Sequence, residues 1–133
     1  MRIYIAYKYR YIKDKDALKK ELQRLSDHFE DLGHKAFILG RDVQKWQNHQ
    51  YSKITTTLDI IKNIGKYDTL FAYINSGVHT NGMPVEIALA KLFGLKIIFA
   101  RQKDAKAGLL EKFADKVVVY DNIEDLKKLN PLN

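Results

Sequence analysis

No cysteine occurs among the 133 residues, which excludes disulfides and thiol catalysis and suits a cytoplasmic chain. Apolar runs stay well short of the roughly 18 residues that a membrane-spanning helix needs. The histidines, His28, His34, His49 and His79, lack metal-ligand spacing, so no metal is expected, and nothing in the pattern calls for a cofactor. The glycines form neither GxGxxG nor a P-loop, which disfavours dinucleotide-binding and NTP-hydrolysing readings. There is no helix-turn-helix spacing, zinc-ligand set or RNA-binding sheet motif, so a nucleic-acid polymer is not the expected partner. The amino end, MRIYIAYKYR, opens directly in a strand-like pattern without a signal-peptide apolar region, and a cytoplasmic location is the expectation.

What is present is an ordinary globular balance, with 46% hydrophobic and 29% charged residues. It is enough for a single domain over residues 1–133 with a substantial core. The net charge of +7 is unevenly placed, since residues 1–20 carry seven Lys/Arg against two Asp. A basic concentration beside a ligand crevice favours a small anion such as a nucleotide.

Apolar runs and helical periodicities alternate along the chain. Strands are expected at Arg2–Tyr7, Ala36–Leu39, Thr69–Ile74, Lys96–Ala100 and Val117–Tyr120. A helix up to about Leu32 repeats Leu18, Leu22, Leu25, Phe29 and Leu32 on its inner face, with Gly33 as its stop. A second, Tyr51–Ile64, is expected to turn Ile54, Leu58, Ile61 and Ile64 inward, and Gly40–Gln50 reads as a polar loop. Pro84–Phe93, a short piece at Ala107–Phe113 and Ile123–Leu129 complete the helices. This alternation implies an α/β fold, a three-layer doubly wound parallel sheet of five strands in the flavodoxin-like order 2-1-3-4-5. Ligands of such sheets bind at the carboxyl ends of the strands, at the switch point between the first and third.

That point gathers the candidate residues. Pro84 suits the first helical position, which places Glu86 in the first turn, where the helix dipole favours an ionised carboxylate able to attack a sugar carbon. Asp59, in the apolar helix TLDIIKNI, is a candidate second carboxylate for acid/base work. Lys8 and Arg10 follow the first strand and can hold a phosphate, to which Thr80 and Asn81, before Gly82, add a hydroxyl and an amide. Tyr4, Tyr7, Tyr9 and Trp46 are candidates for stacking on a base. Asp68, just before a buried strand, reads as structural. The plainer reading of each charged candidate is a solvated surface or an ordinary helix start.

Three segments carry a family resemblance: IYIA near the start, TTTLDIIKNIGKYDTLFAYI in the middle, and NGMPVEIALAKLFGLKII after it. Together they resemble the nucleoside 2-deoxyribosyltransferase superfamily, including its 2′-deoxynucleoside 5′-phosphate N-hydrolase branch. The resemblance implies that Glu86 is a nucleophile toward C1′ and Asp59 the carboxylate that assists proton transfer at the leaving base. It makes Tyr4 the residue that positions the nucleophile and Thr80 a phosphate-binding hydroxyl. It further implies cleavage of an N-glycosidic bond, resolved by water or by another base, and assembly as a homodimer or higher homo-oligomer. A non-catalytic nucleotide-binding or sensing module in the same crevice is the alternative.

Overall fold

The computed structural model describes residues 1–7, 15–43, 45–46, 53–75, 84–105, 109–128 and 132. All six residues of the strand Thr69–Ile74 (β3) are buried, as expected of a central strand covered on both faces by helices. Beside it lie β1 (Arg2–Ala6) and β4 (Lys96–Gln102), with β2 (Lys35–Ile38) and β5 (Lys116–Tyr120) at the edges. The order is β2-β1-β3-β4-β5 and every pairing is parallel, the doubly wound arrangement implied by the alternation of elements. Helix α1 (Lys15–Asp31) links β1 to β2, while α2 (Leu39–Asp42) and α3 (Lys53–Ile64) link β2 to β3. Helix α4 (Pro84–Phe93) links β3 to β4, a 3-10 turn (Leu109–Phe113) precedes β5, and α5 (Ile123–Lys128) follows it.

Because successive strand residues point to opposite faces, the sheet feeds two cores. Ile3, Ile5, Phe71, Tyr73, Ile98 and Ala100 pack with Leu18, Leu22, Leu25 and Phe29 of α1 and with Ile123 and Leu126 of α5. On the other face Tyr4, Ala6, Leu70, Ala72, Ile74, Ile97 and Phe99 pack with Ile60 and Ile64 of α3 and Ile87 and Ala90 of α4. Each large apolar side chain so buried contributes about 1.5–3 kcal/mol.

Two inward expectations are corrected. Leu32 is exposed, because α1 ends at Asp31 and Gly33, at φ 92, turns the chain away. In α3 the core seam runs through Ile60 and Ile64, flanked by the partly buried Thr56, Thr57 and Asn63. Of the anticipated stripe only Ile64 is inside, while Ile54, Leu58 and Ile61 are exposed. Ile54, Leu58 and Ile61 are also helically spaced, so periodicity alone finds two apolar seams and does not choose between them.

The segment read as a loop after β2 begins instead with α2, and Arg41 is what holds it. Its guanidinium donates to Asp42 Oδ1 at 2.9 Å, to the buried Ser26 hydroxyl of α1 at 2.9 Å and to the Ala36 carbonyl of β2 at 3.1 Å. Asp42 Oδ2 in turn accepts the Ile38 N–H at 2.9 Å. A planar fork of donors satisfies several acceptors at once, which a lysine cannot do. Asp68 is structural as expected, since its carboxylate accepts the Arg2 backbone N–H at 2.8 Å.

Candidate functional site

Glu86 stands in the first turn of α4, at the carboxyl end of the central strand. The residue is only partly buried, but its carboxyl is desolvated, and burial pushes it up to about 8. This reverses the expectation of a carboxylate kept ionised by the helix start. Desolvation of a charge outweighs the stabilising field of a helix terminus, which is worth about 0.3–1 kcal/mol at an exposed site. Near neutral pH the resting site therefore holds the neutral acid, poised to lose its proton within the range where enzymes work.

Tyr4, on β1, lies on the same face of the sheet. It is buried, with its ring 5.2 Å from Phe37 and 5.9 Å from Tyr67, the latter edge-on. Its hydroxyl is held well above the usual phenol range, first by burial and then by the charges of Glu86, Tyr7, Tyr67 and Asp59. Among the described residues that hydroxyl has no hydrogen-bond partner. A buried polar atom left unpaired costs about 1–3 kcal/mol, so an orphaned donor beside two acids singles out this spot. Asp59 is partly buried in the middle of α3, the helix that packs against α4, and its carbonyl accepts Asn63 Nδ2 at 2.7 Å. The fold thus brings Glu86, Asp59 and Tyr4 to one face, from α4, α3 and β1 respectively. Phe37 and Tyr67, which sequence reading did not single out, wall the phenol; periodicity marks such rings only as core.

Trp46 lies elsewhere. It packs with the α1 core, its ring 6.2 Å from Tyr7 and with Lys19 Nζ 5.5 Å above it. Lys45 and Trp46 both adopt left-handed backbone, at φ 51 and 60, a conformation costly for side-chain-bearing residues. Gly40 is what makes room. Its N–H donates to the Tyr7 hydroxyl at 2.8 Å, its carbonyl accepts the Trp46 N–H at 2.6 Å, and a Cβ there would run into Tyr7 Oη and the indole. Tyr7 and Trp46 form an aromatic pair just beyond the ends of β1 and β2, across the sheet from the two acids. Lys8, Arg10, Thr80, Asn81 and Gly82 lie outside the described residues.

A separate open cavity of about 550 Å³ runs along the edge strand β2, lined by Arg2, Lys35, Phe37, Arg41 and Tyr67 among others. It contains neither acid, and Arg41 spends its donors on Asp42, Gln23, Ser26 and Ala36. Among the described residues no cluster of His, Asp and Glu could hold a metal ion, and no helix is long and apolar enough to cross a membrane.

No protein-family model and no curated protein sequence matches the chain. Solved structures do. The CMP N-glycosidase BcmB of Clostridium botulinum superposes with a TM-score of 0.69 at 18% identity, over 100% of both chains. A conserved protein from Enterococcus faecalis V583 gives 0.66 at 16% identity, over 96% of this chain and 94% of that one. A 2-deoxyribosyltransferase from Bacillus psychrosaccharolyticus gives 0.59 at 15% identity, over 96% and 90%. The chain thus shares the fold of a CMP N-glycosidase over its full length and of a 2-deoxyribosyltransferase over 96% of it.

Proposed function

We propose that the chain is a cytoplasmic enzyme cleaving the N-glycosidic bond of 2′-deoxynucleosides or their 5′-monophosphates. Glu86, once ionised, attacks C1′; the C1′–N bond breaks and its electron pair leaves with the base, which takes up a proton with the help of Asp59. The glycosyl ester on Glu86 is then opened by water, releasing the sugar, or by a nitrogen of a second base, forming a new nucleoside. Tyr4 positions Glu86, and Lys8 and Arg10 with Thr80, Asn81 and Gly82 hold the phosphate. No metal or cofactor enters these steps. The observation that carries the reading is the desolvated Glu86 carboxyl sharing a face with Asp59 and the unpaired Tyr4 hydroxyl. The likeness to a CMP N-glycosidase and a 2-deoxyribosyltransferase supports it at the level of the fold.

Incubation with a panel of nucleosides and 5′-monophosphates, in both ribo and deoxy forms, tests the proposal by the appearance of free base. Wild type releases base and Glu86→Ala does not; equal release by both overturns it. One observation favours a second reading, a sensing module without turnover: a neutral Glu86 is a poor nucleophile near pH 7. That reading requires the ligand to be recovered intact while stabilising the protein by roughly 2.7 kcal/mol at a hundredfold excess over Kd.

In either case the expected assembly is a homodimer. What supports it is the apolar surface of two helices that pack side by side: Ile54, Leu58 and Ile61 on α3, and Val85, Leu92 and Phe93 on α4, all exposed. Exposed apolar residues on two packed helices offer a surface that a second copy can cover.

A further inference from the structure

The cavity beside β2 lies toward the amino ends of the strands, away from Glu86. Arg2 of β1 and Lys35 of β2 are register partners there, as are Tyr4 and Phe37 two residues further on. Side chains two apart on a strand share a face, so a row of two cations stands next to a row of two rings. Neighbouring strands run about 4.8 Å apart, and like charges facing each other at that spacing destabilise the pairing. Little offsets them among the described residues. Arg2 meets Asp68 at 3.9 Å, between side chains both more than half exposed, an ion pair of small worth. The ammonium groups of Lys35 and of Lys66, just past the end of α3, have no hydrogen-bond or ion-pair partner among the described residues.

Around these cations the cavity has a volume of about 550 Å³, the size of a small-molecule site. Phe37 and Tyr67 supply its aromatic wall, with ring centroids 5.1 Å apart and planes at 37°. The Tyr67 hydroxyl is raised above the usual phenol range by burial and by Asp42, with Arg2 acting in the opposite sense, so it stays a donor. Arg41 and Asp42 are bonded to each other, which leaves Arg2, Lys35 and Lys66 facing one acid, the exposed Glu30. We infer that this cavity is a second binding site, for a flat aromatic ring that carries a phosphate group. The ring lies against Phe37 and Tyr67. The phosphate has three oxygens for cations arriving from β1, β2 and the turn after α3, and it relieves the repulsion between Arg2 and Lys35. The site is independent of the glycosidase reading and stands or falls without it.

Phenyl phosphate is the probe, because it joins a ring to a phosphate and has no glycosidic bond for Glu86 to cleave. In nitrogen-15 NMR spectra of the full chain it shifts the backbone amides of residues 35–37 and 66–67 in a saturable titration. Inorganic phosphate, without the ring contact, binds there roughly fivefold more weakly. Benzyl alcohol, a ring without the charge, produces no saturable shift. Lys35→Ala and Lys66→Ala each weaken phenyl phosphate roughly threefold, the worth of an exposed charge contact, while Lys35→Arg keeps the affinity. Binding also weakens as salt is raised, because the cations face solvent. Both lysines are exposed, so the melting temperature and the remaining amides stay as in wild type.

The same spectra separate this cavity from the candidate active site. Shifts confined to residues 73–75 and 84–90, at the carboxyl end of β3, place the probe beside Glu86 and overturn the inference. So does a titration at 35–37 and 66–67 that the double variant Lys35→Ala, Lys66→Ala leaves undiminished. Phenyl phosphate that binds no tighter than inorganic phosphate overturns it as well, because the aromatic wall then contributes nothing.

Discussion

The two faces of the sheet are built to different standards. Toward α1 and α5 the packing is closed: Leu22, Leu25 and Phe29 are fully buried, and Phe29 meets Phe71 edge-on at 5.1 Å. Toward α3 and α4 the sheet is just as apolar, but the helices are not sealed. They carry a desolvated acid, stand beside an unpaired buried phenol, and leave Ile54 75% and Leu92 76% exposed. The closed face holds the scaffold rigid, and the open face bears the two acids, the unpaired Tyr4 hydroxyl and exposed apolar residues. Site geometry is most precise when such a rigid support lies behind it. Strain and unpaired polar groups persist where the surrounding structure over-determines them, and here the α1 core supplies that constraint.

The sharpest way to break the comparison is at Glu86. Glu86→Gln is expected to lower base release on the order of 10⁴-fold, as loss of a nucleophile does elsewhere, while the fold survives. Wild-type kcat/KM should climb with pH and level off above about 8, where the carboxyl ionises. Stability should move the opposite way. The unfolded chain ionises this group near 4.5 and the folded chain only near 8. Between those values the folded state keeps a proton that the unfolded state has released, so Glu86 lowers stability by about 1.4 kcal/mol for each unit of rising pH. Below the window both states are protonated and above it both are ionised, so the slope vanishes. Urea titrations of wild type and Glu86→Gln from pH 4 to 9 isolate this difference, and a gap that does not grow through the window refutes the buried-acid assignment.

On the closed face, Phe29→Ala should cost about 3–5 kcal/mol in chemical denaturation, by lost burial and a cavity that rigid neighbours cannot fill. A cost below about 1 kcal/mol would mean that the α1 side is no better packed than the other. Gly40→Ala is expected to cost less, about 1–3 kcal/mol, because the Tyr7 hydroxyl and the Trp46 ring can shift at the expense of the Gly40 N–H bond. Quenching of tryptophan fluorescence by iodide should rise in that variant as Trp46 loosens.

Much of this architecture was legible in the residues alone, and the exceptions share a cause. Strand β3 and helix α4 were read to the residue, because a buried run and a proline-led helix are local signals. Helix α2 was missed, since its four residues are held by Arg41 bonding to Ser26 and Ala36, which no local pattern announces. The seam of α3 was misjudged because Ile54, Leu58 and Ile61 fall as regularly as Ile60 and Ile64, and only the tertiary contacts choose between them. At the candidate site the positions of Glu86, Asp59 and Tyr4 followed from topology, whereas the protonation state of Glu86 did not. Charge near a helix start is visible in sequence; the water removed from around a carboxyl is not. The cavity beside β2 escaped for a similar reason, its lining coming from β1, β2 and the turn after α3.

The smallest effect on the isolated chain should come from the open face, and it discriminates best. Leu58 and Leu92 are exposed, so Leu58→Lys and Leu92→Lys should each change monomer stability by no more than about 0.5 kcal/mol. Lysine is a good helix former, and at Leu92 a cation in the last turn of α4 suits the helix dipole. Sedimentation equilibrium should nonetheless show the double variant as a monomer at concentrations where wild type is a dimer. Burying two ammonium groups against apolar helices in each protomer is unfavourable, whereas the proposed dimer would cover the apolar Ile54, Leu58, Ile61 and Leu92. If both proteins sediment as monomers, the exposed apolar residues are ordinary surface. If both sediment as dimers, the contact lies on another face. Denaturation midpoints that depend on protein concentration in wild type, but not in the double variant, would tie the unsealed face to assembly.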